Sequence, residues 1–231
     1  MRILIAGTGG VGGYFGALLA RAGRDVVFLA RGRNLAALRE RGLTVESVDG
    51  DMRLPHVTAT DTLADAAPVD LVLVTVKSYD TSATAAVIAP VVTRETIVLS
   101  LQNGIENEGV LAAALGLPPL LGAMTQIGAE LTAPGVVRHV AQGILLDPAR
   151  VDPVIAYAAE HLGTLRTSML QDVERGRRLE YDAINGAVVR AGDAIGVPTP
   201  LNRALVALLA ALDPQRPTGE RGAGRVTPIR G

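Results

Sequence analysis

The stretch RILIAGTGGVGGYFGALLARAG, residues 2–23, limits the possible fold more than any other part of the chain. Residues 2–6 read as a buried strand that stops at glycine. Helical spacing then runs over residues 11–22, with Gly23 as its stop. Gly7-Thr8-Gly9-Gly10-Val11-Gly12 fits the pattern G-x-G-x-x-G between a strand and a helix. In that setting Gly7 permits the tight turn, Gly9 lets backbone approach a pyrophosphate, and Gly12 lets the helix pack closely on the strand. The helix N-terminus offers unpaired N–H groups and a partial positive charge to the anion. Gly7, Thr8, Gly9, Gly10, Val11 and Gly12 are therefore expected to hold the phosphates of a dinucleotide.

The pattern continues as alternating strands and helices. Residues 25–30 form a second apolar strand and 34–41 a short helix closed by Gly42. Residues 43–46 and 53–58 are weaker strands around the turn-forming Asp49-Gly50-Asp51. DLVLVTV at 70–76 and TIVLSL at 96–101 are buried strands, with a helix between them that ends near Pro90. This alternation predicts a doubly wound, Rossmann-type parallel sheet. Residues 120–131 and 135–146 meet at the Pro134-Gly135 turn and predict antiparallel strands at the edge of that sheet. Beyond them the periodicity turns helical, at 151–161, 180–195 and 201–212. The expected organisation is an α/β dinucleotide domain over 1–148, a shortened all-helical domain over 149–212, and a tail at 213–231 rich in Gly, Pro and Arg and expected to be disordered.

Arg31 closes the second strand, where the ribose of a dinucleotide is read. An acid there accepts hydrogen bonds from a 2′-hydroxyl, whereas an arginine offers a charge-assisted fork to a 2′-phosphate. The residue choice favours NADP(H) over NAD(H), with Arg33 and Asn34 as possible further donors.

The formal net charge of −1 gives no bulk attraction for nucleic acid or an anionic membrane. No apolar run reaches the roughly 20 residues needed to span a bilayer, and the N-terminus lacks the features of a secretory signal. With no cysteine there can be no disulfide, thiolate metal site or cysteine nucleophile. The expected setting is the cytoplasm, with no metal.

Further motifs join the glycine turn: Arg31, VTVKSYDT around Lys77, LQNGIENE around Asn103, APGVVRH at 133–139, TSMLQD at 167–172, LEYDAINGAVVR at 179–190, and GVPTP. Together they resemble the ketopantoate reductase (2-dehydropantoate 2-reductase) family over nearly all of residues 1–212. The resemblance implies NADPH-dependent reduction of 2-dehydropantoate, or a related 2-keto acid, to pantoate, a step toward pantothenate and coenzyme A. It also implies a Rossmann-type domain followed by a helical one, with the active site between them, and a possible homodimer. By position, Asn103 matches the asparagine near cofactor and substrate, and Lys77 matches a lysine of the cleft. Ser168 and Glu180 match the family's active-site serine and glutamate. From local sequence alone, Ser168 reads equally well as a helix N-cap in a capping box and Glu180 as a helix-start acid. Asp182 and Asn185 read as structural support.

One family feature is absent. The family's general acid is a lysine in a K-x-x-x-N arrangement ahead of the TSMLQD segment. Lys77 is the only lysine of this chain, and no asparagine falls between Asn107 and Asn185. The alternatives to a working reductase are an NADP-binding remnant or regulatory protein with little turnover, and a subunit completed by another chain.

Overall fold

The computed structural model describes residues 1–63, 68–117, 120, 127–142 and 167–215. The chain divides into two compact units, Met1–Ala159 and Glu160–Gly231. The first holds a five-stranded, all-parallel sheet in the order β5-β2-β1-β6-β7. Its strands are β1 (Arg2–Ala6), β2 (Asp25–Leu29), β5 (Thr58–Thr60), β6 (Leu71–Val74) and β7 (Ile97–Ser100). The near-continuous apolar runs of β1, β2, β6 and β7 follow from burial on both faces, while β5 is a short polar edge strand. Ile3 and Ile5 of β1 enter one core with Phe28, Leu35 and Leu38, while Leu4 and Ala6 enter the opposite core with Val72, Val74 and Ile88. The second core is roofed by α3 (Thr81–Ile88) and α4 (Asn107–Leu115).

The antiparallel strands depart from the sequence expectation. They do not extend the parallel sheet but belong to a sheet of their own, ordered β4-β3-β9-β8. Here β8 (Ile127–Ala133) and β9 (Val136–Gln142) form the expected hairpin, and β9 runs parallel to β3 (Leu43–Ser47), which pairs in turn with β4 (Met52–Leu54). The segment expected as one strand at 53–58 is split between the two sheets at Pro55, which lacks the N–H that a continued ladder requires.

Between the two sheets lies α1 (Gly10–Arg21), and its glycines explain how it fits. A Cβ on Gly12 would sit 2.2 Å from the Gly7 carbonyl oxygen, and one on Gly16 would sit 2.3 Å from the Phe28 ring, on the parallel-sheet side. A Cβ on Gly10 would sit 2.3 Å from the Ala129 carbonyl oxygen of β8, and one on Gly13 would sit 2.6 Å from Val137 of β9. The glycine-rich helix is thin enough to be gripped from both sides. α2 (Gly32–Arg41) packs Leu35 and Leu38 into the same core.

In the second unit, α5 (Ser168–Glu174) is followed by a π-helical turn at Asp182–Gly186, then α6 (Ala187–Ile195) and α7 (Pro200–Leu212). The helix expected over 180–195 is thus present as a continuous helix over 181–195 that opens in a π-helical turn. There the Asp182 side chain and carbonyl both accept hydrogen bonds from the Arg190 guanidinium, at 2.9 and 3.0 Å. Asn185 donates to Asn202 at 3.1 Å, joining this turn to α7. Both residues, read as structural support, bond within the second unit. Leu201, Leu205, Leu208 and Leu212 repeat along α7 and stay exposed. The expected helix at 151–161, the expected domain boundary near 148 and most of the expected tail lie outside the described residues.

Candidate dinucleotide site

The parallel sheet changes its direction of winding between β1 and β6: β2 and β5 lie to one side of β1, β6 and β7 to the other. Open α/β sheets bind ligands at such a switch point, outside the carboxyl ends of the strands. The Gly7–Gly12 turn leaves β1 there, and Lys77 follows β6 on the adjoining strand.

Each loop residue has a distinct role. Gly7 has φ +109°, and a Cβ on it would meet Val76 at 2.6 Å, so the turn is closed to other residues. The Thr75 hydroxyl donates to the Gly7 carbonyl at 2.6 Å. Thr8 is buried and turned inward, with its amide and hydroxyl both donating to the Leu29 carbonyl at 3.2 and 3.0 Å. Gly9 caps α1, and Gly13 donates to its carbonyl at 2.8 Å. The amides of Gly10, Val11 and Gly12 belong to the helix's first turn, whose N–H groups lack carbonyl partners within the helix. Gly9 alone among the loop glycines opens onto space, with nothing within 4 Å of an added Cβ. A phosphate fits this cradle: open backbone above, a helix N-terminus below.

A cleft of about 190 Å³ runs from Gly7 and Thr8 to Arg31, with Leu29, Ala30 and Val87 among its apolar walls. Arg31 is exposed and caps α2, placing its guanidinium-bearing side chain at the mouth of the cleft. Asp61 and Asp80 also line it, which sequence reading did not single out. Arg39 stands 3.6 Å from the Asp61 carboxylate and offsets that charge. Asn34, expected as a further donor, also lines the cleft. Its carboxamide is engaged inside the protein, donating to the Thr8 carbonyl and accepting from the Gly135 amide, each at 2.8 Å.

Lys77 and Asn103 open the loops after β6 and β7, each at the carboxyl edge of the sheet. Lys77 is half-buried, and its carbonyl accepts from the Asp80 amide at 2.8 Å. Asn103 is exposed and its carbonyl accepts from Asn107 at 2.9 Å. The two loops are tied by residues missed at the sequence level. Gln102 donates to the Val76 carbonyl at 3.0 Å and to the Thr81 hydroxyl at 2.8 Å, and that hydroxyl lies 3.1 Å from the Asn107 side-chain oxygen. The only signal available was the polar cluster in LQNGIEN, directly after an apolar strand.

In the second unit, Thr167 rather than Ser168 is the N-cap of α5, its hydroxyl accepting from the Leu170 amide at 3.3 Å. Ser168 is the first helical residue and is exposed, so its hydroxyl is not spent on the cap. Glu180 is buried, 5% exposed, between buried Leu179 and Tyr181. A carboxylate kept in such a setting needs partners or a task. Among the described residues there is no cluster of His, Asp and Glu able to hold a metal ion, and no helix long and apolar enough to cross a membrane.

A glycine turn at the switch point of the β5-β2-β1-β6-β7 parallel sheet, with an arginine just past β2, defines a Rossmann-type dinucleotide-binding fold. The comparisons narrow this further. The model of the family "Ketopantoate reductase PanE/ApbA" matches residues 3–146, and that of its C-terminal domain matches 111–213. The chain belongs to the ketopantoate reductase family, whose members are NADPH-dependent oxidoreductases. It is similar to the 2-dehydropantoate 2-reductase of Pyrococcus horikoshii, 41% identical over 146 residues, which are 63% of this chain and 46% of that one. It is similar also to that of Archaeoglobus fulgidus, 28% identical over 297 positions covering 92% of this chain and 98% of the relative. A solved PanE/ApbA family ketopantoate reductase from Ralstonia eutropha JMP134 superposes with a TM-score of 0.80 at 28% identity, over 92% of this chain and 98% of that one. The chain thus spans about half of the Pyrococcus relative. An alignment of 297 positions against a chain of 231 residues means that the Archaeoglobus relative carries stretches without a counterpart here.

Proposed function

We propose that this protein binds NADP(H) and reduces a 2-keto acid, 2-dehydropantoate or a close relative, to the 2-hydroxy acid, toward pantothenate and coenzyme A. The observation that carries this reading is the phosphate turn, open at Gly9, next to a cleft that runs from Gly7 and Thr8 to Arg31. The cradle takes the pyrophosphate through backbone amides, and Arg31 selects the 2′-phosphate by charge and fork geometry. Bound NADPH supplies a hydride for the keto carbon. The chain must orient the carbonyl and deliver a proton to its oxygen. Lys77, the only lysine, is the candidate proton donor, and the Asn103 side chain is suited to orienting the keto acid or the carboxamide end of the cofactor. Ser168 and Glu180 are assigned to the substrate by their match to the family motif, Ser168 as a hydroxyl for binding and Glu180 as an acid–base group.

Steady-state NADPH oxidation against a panel of 2-keto acids tests this. Turnover with 2-dehydropantoate above background supports the reading. Tight NADPH binding with no turnover on any member of the panel overturns the reductase and leaves an NADP-binding protein.

The exposed leucines of α7 favour a second, compatible reading in which the helical unit works in a homodimer, with this face covered by a second copy. Leucines at positions 201, 205, 208 and 212 follow the 4-3-4 spacing of a helix–helix seam. Light scattering should then give twice the chain mass, and Leu208→Glu should halve it; a monomeric wild type removes this reading.

A further inference from the structure

Asn34 lies on the first turn of α2, the helix that carries Arg31 at its N-cap. Its Nδ2 donates to the carbonyl of Thr8 inside the phosphate turn, 26 residues away, at 2.8 Å. Its Oδ1 accepts from the Gly135 amide in the β8–β9 turn, 101 residues away, also at 2.8 Å. The orientation of this amide is forced by its partners, since a peptide N–H can only donate and a carbonyl oxygen can only accept. One side chain therefore bolts together the phosphate turn, the start of the Arg31 helix and the hairpin of the second sheet. Thr8 is in turn fixed to the end of β2 by two bonds to the Leu29 carbonyl.

We propose that Asn34 is a positioning residue that sets NADPH-over-NADH specificity by holding the Arg31 end of the cleft at a fixed distance from the phosphate turn. The proposal rests on the reading of the cleft as an NADP(H) site. A dinucleotide presents its pyrophosphate and its 2′-phosphate at a separation fixed by the ribose between them. An arginine on a helix start free to drift would meet the 2′-phosphate only part of the time. NADH makes no use of Arg31, so it gains little from the bolt. Tethering thus favours the phosphorylated cofactor through Arg31, beside which Asn34 lines the same cleft.

The test is a double-mutant cycle on Arg31→Ala and Asn34→Ala, with NADPH and NADH dissociation constants measured by fluorescence titration and apo thermal unfolding recorded in parallel. Losing one such tether is expected to lower the NADPH/NADH preference about five- to tenfold in Asn34→Ala, the scale of one net hydrogen bond. In the Arg31→Ala background the same change should leave the preference within about twofold, because coupled residues are not additive. Equal weakening of both cofactors by Asn34→Ala, or a full additional loss of preference in the Arg31→Ala background, overturns the proposal and marks Asn34 as merely structural. If Arg31→Ala alone leaves wild-type preference unchanged, the 2′-phosphate reading of Arg31 has failed, and with it the route by which Asn34 would act. Should Asn34→Ala unfold at ordinary temperature, Asn34→Ser keeps a short polar side chain that cannot span both partners, and the same ratio is read from it.

Discussion

Gly9→Ala separates a phosphate cradle from a merely structural glycine turn. Gly9 has φ −91° and ψ −153°, which an alanine adopts, and a Cβ there would touch nothing within 4 Å. The apo protein should therefore tolerate the change. Alanine is a poorer N-cap than glycine, but it also reduces the entropy of the unfolded chain by about 0.4–1 kcal/mol, and the two effects nearly cancel. The new methyl group occupies the space where a phosphate must approach the backbone. Losing one charge-assisted bond of about 1.5–3 kcal/mol weakens NADPH by roughly 10- to 150-fold. At a wild-type concentration of about 100 Kd, NADPH adds about 2.7 kcal/mol of stability. A 100-fold weaker variant keeps only about 0.4 kcal/mol at the same concentration. For a chain of this size each kcal/mol moves Tm by about 2–4 °C, so the NADPH-induced rise should fall from about 5–11 °C to about 1–2 °C. Differential scanning fluorimetry with and without NADPH reads both numbers from one sample. A Gly9→Ala protein with the wild-type NADPH shift refutes the cradle, whatever its apo stability. Gly12→Ala is the control with the opposite signature. Its Cβ would press on the Gly7 carbonyl at 2.2 Å and Thr75 at 2.4 Å, so the apo Tm itself should fall.

Arg31→Ala should weaken NADPH by roughly 10- to 100-fold and NADH by less than about threefold in isothermal titration; equal losses exclude a 2′-phosphate contact. Lys77→Met should lower kcat by about 10²–10⁴-fold with NADPH affinity little changed, and a loss under about tenfold in single-turnover assays would assign the proton to another source. Glu95 is fully exposed, and its carboxyl is held below the usual carboxylate range chiefly by the Thr93 hydroxyl that donates to it. Thr93→Val should raise that pKa toward the ordinary value in an NMR titration. Since a lowered carboxylate stabilises above its unfolded pKa, any small advantage of the wild type in Tm is largest at neutral pH and closes as pH falls through the acid range.

The parallel sheet was legible because each of its central strands is a local apolar run bounded by turn residues, and β1, β2, β6 and β7 all appear within a residue or two of their expected ends. The second sheet was not, because its defining pair joins Thr44 to Val136, and no local pattern announces a partner so far along the chain. The same distance hid the task of Asn34, whose two partners lie 26 and 101 residues away. At Thr167-Ser168 the sequence offered two equivalent hydroxyls in a row, and only backbone geometry decides which one caps. In GTGGVGGYFG the motif pattern was correct while the reasons differed from glycine to glycine. Gly10, Gly13 and Gly16 are also required by packing against Ala129, Val137 and Phe28, a reason that no local pattern announces.

That division bears on how binding and turnover can part company in this chain. The phosphate turn is shaped by Thr75 just after β6, Leu29 from β2, Ala129 from β8, and Asn34 with Gly135, all within Met1–Ala159. Under the proposed function, affinity for the cofactor should therefore draw on residues of the first unit, through backbone groups of the turn and the Arg31 side chain. Proton delivery, under the same proposal, depends instead on individual side chains, Lys77 and Glu180. Changes in the second unit, at Ser168 or Glu180, should consequently alter kcat or the KM for the keto acid while leaving the NADPH dissociation constant near its wild-type value. A Glu180→Gln variant that loses NADPH affinity in step with its activity would break this separation, and would show that the cradle is not held by the first unit alone.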